Sequence, residues 1–542
     1  MNEKNNTEQV IGLRSLPRRQ VMLTLGGVLL AMFLSSLDQT IVSTAMPRIV
    51  GDLGGFSHYT WLTTSYMVMS TVVLPIVGKL TDMYGRKYFY IAGIGIFIIG
   101  SLLSGLSQTM LQIVIFRGLQ GIGAGIMMVN AFTVIADLYP PAERGKYVGI
   151  ISAVFGISAI IGPILGGFIT DALSWHWIFY INIPLGIINI ILFIRFFPNY
   201  RLDSIRHRID YPGIIAILLA VIPLMLALSS GGSDFPWLSA PTIILLAVSF
   251  IAIVALPFIE IRSQEPIIPL EIFRNRVVAV SLPIIFFTGI AMFGGLVFIP
   301  LYFQGVMGLS PTESGGFLTP MLLGQVTGSF VSGQVLARTG GHYKIQGAVG
   351  LAILAAGLFL ISRWTPETST FIMVVHLVMA GFGLGITMPL YTIAVQNAVP
   401  YNILGATTSM VPFFRAMGGA AGLAVFGSIM SNRFISEFLL KLPDTIKSVI
   451  TPEALSGVAN NVQALVSTQA QAQLQTLFSG FGEQGQALYQ QMLEVMKTAL
   501  GSSLSSVFFI TFIIVAAVFV LNFFLREVPL RKQHVIDESK RR

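Results

Sequence analysis

The sequence has no cysteine among its 542 residues. Disulfides, thiolate metal sites and cysteine nucleophiles are therefore excluded. Charge is almost as scarce: Asp, Glu, Lys and Arg make up 10% of the chain, where ordinary globular domains carry about 25%. The six histidines are scattered without ligand spacing, so no metal centre is expected. There is no G-x-x-x-x-G-K-[ST] phosphate loop and no nucleophile–base constellation. These absences argue against an enzyme, against ATP drive within this chain and against a bound cofactor.

What is abundant is apolar length. The chain is 54% hydrophobic, and a helix needs about 20 apolar residues to cross a bilayer. Fourteen such spans are expected, near 21–46, 60–77, 88–107, 110–131, 147–170, 177–197, 211–229, 240–259, 277–303, 315–337, 346–363, 369–394, 403–430 and 501–525. The first follows a polar N-terminus and is too long for a signal-peptide core, so it reads as a retained span. With both termini cytoplasmic, 24 of the 32 Lys and Arg fall in inward segments and six in outward loops. Arg117 and Arg415 lie inside spans. This bias follows the positive-inside rule. It explains the formal charge of +8 as membrane topology, without a nucleic-acid partner.

The organisation expected is an all-α polytopic protein of six, two and six helices. A cytoplasmic N-terminus (1–20) precedes a six-helix bundle (21–197). A linker with two inserted helices follows (198–276), then a second six-helix bundle (277–525) and a cytoplasmic tail (526–542). The second bundle contains an extracytoplasmic insertion at 432–500. There Ala470, Leu474, Leu477 and Phe478, and then Leu488, Met492, Val495 and Met496, fall at helical spacing and read as two short amphipathic helices. Gly78–Lys87 after the second span and Gly333–Gly341 after the tenth form a weak internal repeat, with Ala337 in the acidic position. Repeats of this kind are a transporter signature, with the cargo site between halves near the midplane.

Among the acids, Asp38 alone lies well inside a span, and an ionisable group there is a candidate functional residue. It is 17 residues past Val21, about 25 Å along the axis at 1.5 Å per residue, nearer the outer side. Pro47 is expected to end that helix. Arg117 places a guanidinium in an apolar helix and should face a cavity or a partner. It stays protonated, so it could tune a proton carrier but not be one. Gly78 and Gly85 let helix ends approach closely, Asp82 suits an Arg partner or a helix N-terminus, and Arg86 and Lys87 hold the cytoplasmic side. Gly156, Gly162, Pro163, Gly166 and Gly167 allow a bend and close helix contact in the fifth span. Trp175 and Trp177 sit where an aromatic belt belongs. Gln39, Glu313, Arg415, Phe293 and Tyr302 are candidate cavity or cation contacts, aromatic faces being able to stack on a cation. His376 reads as a structural histidine.

These stretches together resemble one family. Gly78–Lys87 is similar to the loop motif G-x-L-a-D-r-x-G-r-k of the major facilitator superfamily. Ile113–Gly125 resembles its fourth-helix motif around Arg117, and Gly156–Gly167 resembles the fifth-helix motif of its exporters. Leu37–Pro47 and Trp175–Gly186 look like motifs of the fourteen-span drug:proton antiporter-2 branch, with Ser43 for the usual Asn and His176 for the usual Arg. The resemblance covers essentially the whole chain. It implies a proton-coupled efflux antiporter in the cell membrane, exporting amphipathic and often cationic small molecules by alternating access. In that reading Asp38 carries the proton, which is the coupling ion, Arg117 tunes it and Gly78–Lys87 gates. The resemblance implies a monomer in the bilayer, with a periplasmic adaptor compatible but not indicated. An exporter of one metabolite, lipid or siderophore, and a receptor or structural protein that has kept the fold, are the alternatives.

Overall fold

A computed structural model describes residues 17–53, 61–197, 208–231, 235–443, 446, 465, 475–476, 478 and 483–530. Apart from one bridge between Gly231 and Phe235, the regular structure among them is helical. The first half comprises α1 (Arg18–Leu53), α2 (Trp61–Tyr84), α3 (Arg86–Gly105), α4 (Met110–Leu138), α5 (Pro141–Ala172) and a sixth span broken into α6 (Trp177–Tyr180) and α7 (Asn182–Phe196). Two inserted helices follow, α8 (Tyr211–Ser230) and α9 (Ala240–Arg262). The second half comprises α10 (Arg276–Leu301), continued by a π-helical turn at Tyr302–Val306, then α11 (Pro311–Thr339), α12 (Tyr343–Ile361), α13 (Thr370–Asn397), α14 (Leu404–Lys441) and α15 (Glu483–Asn522).

Local chemistry explains the ends. Thr109, Asp210 and Asn275 accept the backbone N–H of Gln112, Gly213 and Val277, which caps α4, α8 and α10. Gly85, at φ 86°, links α2 to α3 in a single residue, and Gly340, at φ 72°, ends α11. Among the described residues, thirteen helices are long and apolar enough to cross a membrane. The fourteenth, α11, is long enough at 29 residues but rich in Gly, Ser and Thr. It is the helix wedged between the halves, against α13 on one side and α5 on the other. Its buried Ser329 and Ser332 hydroxyls donate to the carbonyls of Gly385 and Ile386. Small side chains therefore serve contact rather than lipid exposure. Lipid-type exposure is concentrated elsewhere, as on α9, where Ile244, Phe250 and Phe258 are all exposed.

The two halves repeat each other's packing. In the first, α1 packs on α5 and α7, and α4 on α2 and α3; in the second, α10 packs on α14 and α15, and α13 on α11 and α12. The junction obeys the same two-fold relation, with α2 against α14 and α5 against α11. The inserted α8 packs beside α2 and α14, and α9 reaches the protein mainly through α8.

Three expectations are corrected here. The first helix does not end at Pro47 but runs to Leu53, because an internal proline removes one hydrogen bond without stopping its neighbours. Trp175 is not a belt residue: it is buried and donates to Asp52 at 3.0 Å, whereas Trp177 is exposed. In the 432–500 region the second of the two short helices expected there is not separate but is the start of the last span. Residues 432–441 prolong α14, and Leu488, Met492, Val495 and Met496 lie on α15, continuous with the last span. Phe434, Phe438, Met492 and Met496 are buried there. Of the other proposed helix, Phe478 is buried, while Ala470, Leu474 and Leu477 lie outside the described residues.

Candidate functional site

Asp38 has no exposed surface. Its Oδ2 accepts from Arg117 Nη1 at 2.5 Å, and its Oδ1 from Gln120 Nε2 at 2.8 Å and Asn182 Nδ2 at 3.0 Å. Arg117 Nη1 also lies 2.7 Å from Gln120 Oε1, and Asn182 Nδ2 lies 3.0 Å from Ser101 Oγ. The Tyr66 ring stacks under the guanidinium at 4.3 Å. Five spans, carrying α1, α2, α3, α4 and α7, meet at this carboxylate. Removing two charges from water costs several kcal/mol per ion, and only full hydrogen bonding offsets it. Three donors to one carboxylate meet that requirement.

Asp38 and Arg117 are thus brought together as an ion pair. In this conformation those partners seal Asp38, which has no exposed surface. Sequence reasoning missed Gln120, Asn182, Ser101 and Tyr66. Gln120 sits three residues after Arg117, hence on the same helical face. Asn182 and Ser101 are polar groups in apolar spans, and that signal was available.

A second constellation closes one end of the bundle, the end that carries Lys79, Arg86, Lys87, Arg144 and Arg338 and is called here the basic end. Asp82 accepts from Gly405 N at 2.9 Å and Ala406 N at 2.8 Å, the free donors at the start of α14. Arg86 lies 3.3 Å from Asp82 and 2.6 Å from Asp137, and Tyr401 donates to Asp137 at 2.8 Å. Lys87 Nζ donates to the Ile194 and Phe197 carbonyls at 3.0 and 2.7 Å, at the end of α7. Lys79 pairs with Glu265 at 2.5 Å, after α9. Arg144 Nη1 crosses to Gln396 Oε1 at 3.2 Å.

Glycines let the halves touch. A Cβ on Gly78 would meet the Gly405 carbonyl at 2.7 Å, and one on Gly145 would meet the Gly333 carbonyl at 2.6 Å. Gly156 faces Val326 of α11, again across the halves. Gly162 and Gly166 instead face Thr40 and Thr44 of α1, and Pro163 lies between them inside α5. The Thr40 hydroxyl is 3.1 Å from the Ser158 carbonyl. Gly167 has no neighbour within 4 Å of a would-be Cβ.

The remaining candidates scatter. Gln39 is exposed on α1, on another face from Asp38. Glu313 is exposed and closes a capping box with Ser310, whose backbone N–H holds the carboxyl below its usual value. Tyr302 is buried, its ring 5.3 Å from Trp364 and 5.9 Å from Phe303. Phe293 is half-buried against Gly419. Arg415 is buried on α14. His376 accepts from Trp364 Nε1 at 3.1 Å.

The description "Major Facilitator Superfamily" matches residues 28–423. The multidrug transporter protein MdtP of Bacillus subtilis (strain 168) is 38% identical over 526 residues, covering 97% of this chain and 96% of that protein. Multidrug resistance protein 3 of the same organism is 39% identical over 436 residues, covering 80% and 84%. Among solved structures, the proton:xylose symporter XylE superposes with a TM-score of 0.57 at 13% identity, covering 94% of this chain and 96% of that one, a likeness of fold. With two repeated six-span halves and two inserted helices among the described residues, and with this match along its length, the chain belongs to the major facilitator superfamily and is a multi-pass membrane transporter.

Proposed function

We propose that the chain is a proton-coupled efflux antiporter for amphipathic, often cationic compounds, acting as a monomer in the cell membrane with both termini cytoplasmic. The observation that carries this reading is the sealed Asp38 carboxylate with its three donors. A proton added to Asp38 cancels one charge of a buried ion pair and turns one of its two oxygens into a donor, so Arg117, Gln120 and Asn182 lose part of their acceptor set and the packing of α1 against α4 and α7 has two discrete states. The same α1 contacts Gly162 and Gly166 of α5, and α5 meets α11 at Gly145 and Gly333. A change at Asp38 thus has a continuous route to the junction between the halves. Asp82 and the paired glycines shut the basic end in this conformation, which supports a cycle in which cargo leaves from the opposite side. Alternating access follows as the halves rock about this junction.

Proton entry from outside and release inside supplies the drive, about 2.3 kcal/mol per charge per 100 mV. The names of the two Bacillus relatives support the breadth of cargo. The test is transport in proteoliposomes under an imposed pH gradient, with a panel of dyes and antiseptics. Wild type should move several of them, and Asp38→Asn should reach the membrane yet move none. Undiminished proton-driven flux through Asp38→Asn would refute the assignment, and a single transported compound would favour an exporter of one metabolite.

A further inference from the structure

Among the described residues, the first half buries a charge with a complete set of partners and the second half buries one with none. Arg415 is 8% exposed, and among the described residues it makes no hydrogen bond, ion pair or ring contact. Burying a lone guanidinium is costly unless something polar reaches it. Its nitrogens, unlike Nη1 of Arg86, are not sealed. The space they touch is internal, because no residue of α14 from Leu404 to Ala424 is exposed, whereas lipid-facing helices show many. Arg415 is 11 residues into α14, about 16 Å from the closed basic end, hence near the midplane of a hydrocarbon core of about 30 Å. Its backbone abuts Gly289 of α10, and Gly418 on the next turn abuts Phe286. The half-buried rings of Phe286, Phe287, Phe413 and Phe414 lie on these two helices beside it.

We infer that Arg415 is an anion-binding subsite for cargo, taking amphipathic organic anions or zwitterions that carry a carboxylate, sulfonate or phosphate on an aromatic body. A guanidinium presents a planar fork of donors that matches these groups two bonds at a time. The neighbouring rings supply the apolar wall. Asp38 cannot neutralise Arg415, since it is spent on Arg117, so the interior retains an unmatched positive charge in its second half. This extends the cargo range beyond cations and rests on the transport reading above.

The test is calorimetric binding to the full chain in phosphatidylcholine nanodiscs, with two probes of one shape, 1-naphthylacetate and its neutral amide 1-naphthylacetamide. Wild type should bind the acid about tenfold tighter than the amide, the order expected for a charge-assisted bond. Arg415→Gln should erase that preference, and Arg415→Lys should keep part of it. The wild-type comparison stands even where a variant fails to fold. Equal affinities in wild type, or a preference that survives Arg415→Gln, would overturn the inference. Loss of the preference in nanodiscs containing phosphatidylglycerol would give the site to lipid phosphate and overturn it as a cargo site. Ethidium flux driven by a pH gradient is read separately in wild type. Its failure would remove the transport reading while the binding result remained interpretable.

Discussion

Asp82 accepts the backbone N–H of Gly405 at 2.9 Å across 323 residues of sequence. It joins the end of α2 to the start of α14 and makes one side of the junction between the halves different from the other. Across the two-fold, Ala337 takes its place and is exposed. The α5–α11 side rests on glycine contact and Arg144, and the α2–α14 side adds a carboxylate at a helix N-terminus.

Asp82→Ala should loosen the basic end. A lost N-cap costs about 0.5–2 kcal/mol, which shifts an open–closed equilibrium by roughly 2- to 30-fold. The native chain has no cysteine, so Lys146→Cys and Arg338→Cys provide a clean spin-label pair across α5 and α11. The label distance should gain a longer component in Asp82→Ala; an unchanged distribution would remove the latch role.

Gly333→Ala should wedge the same end from the other side. The added methyl meets the Gly145 backbone, which cannot swing away as a side chain can. Overpacking of this kind costs about 1–3 kcal/mol. Gly95→Ala, where a Cβ has no neighbour within 4 Å, is the control and should keep wild-type melting. Equal melting temperatures for the two variants would show that the close approach is not needed.

Asp38→Asn combined with Arg117→Gln should separate folding from coupling. Asp38→Asn alone leaves a buried guanidinium uncompensated, at about 3–5 kcal/mol. The second change removes that charge, so thermal stability should largely return while proton-driven flux stays absent. Flux that recovers together with stability would mean that Asp38 serves only the fold.

His176 should contribute a pH dependence outside the bilayer. Its ring stacks on Trp175 at 3.7 Å, and burial lowers its pKa below the usual value, partly opposed by Asp52. The folded chain therefore takes up this proton less readily than the unfolded chain does. Stability is fully present above the unfolded value of about 6.5 and declines as pH falls below it. Melting curves between pH 7.5 and 5.5 should show a smaller decline for His176→Phe than for wild type; identical slopes would exclude the contribution.

Much of the architecture is readable without coordinates, for reasons that can be named. Apolar runs near 20 residues report spans because lipid offers the backbone no hydrogen bonds, and the placement of Lys and Arg supports their number. The signal weakens where a helix meets protein instead of lipid. The small polar residues that seat α11 between α5 and α13 lower its hydropathy, and α14 and α15 continue past any membrane boundary into 432–441 and 483–500. Pro47 and Trp175 mislead because a proline within a continuing helix and a buried indole have the same local sequence as a helix end and a belt.

By itself the sequence determined the helical class, the six–two–six order, the motif stretches and Asp38 as a residue apart, since all of these depend on local hydropathy, spacing and charge. Only the tertiary structure decided which polar groups meet. Asp38 joins Arg117, Gln120 and Asn182 over separations of 79, 82 and 144 residues, while Arg415 has no partner among the described residues. Such pairings depend on how each helix is rotated and which helices are neighbours, and no period within a single helix encodes either.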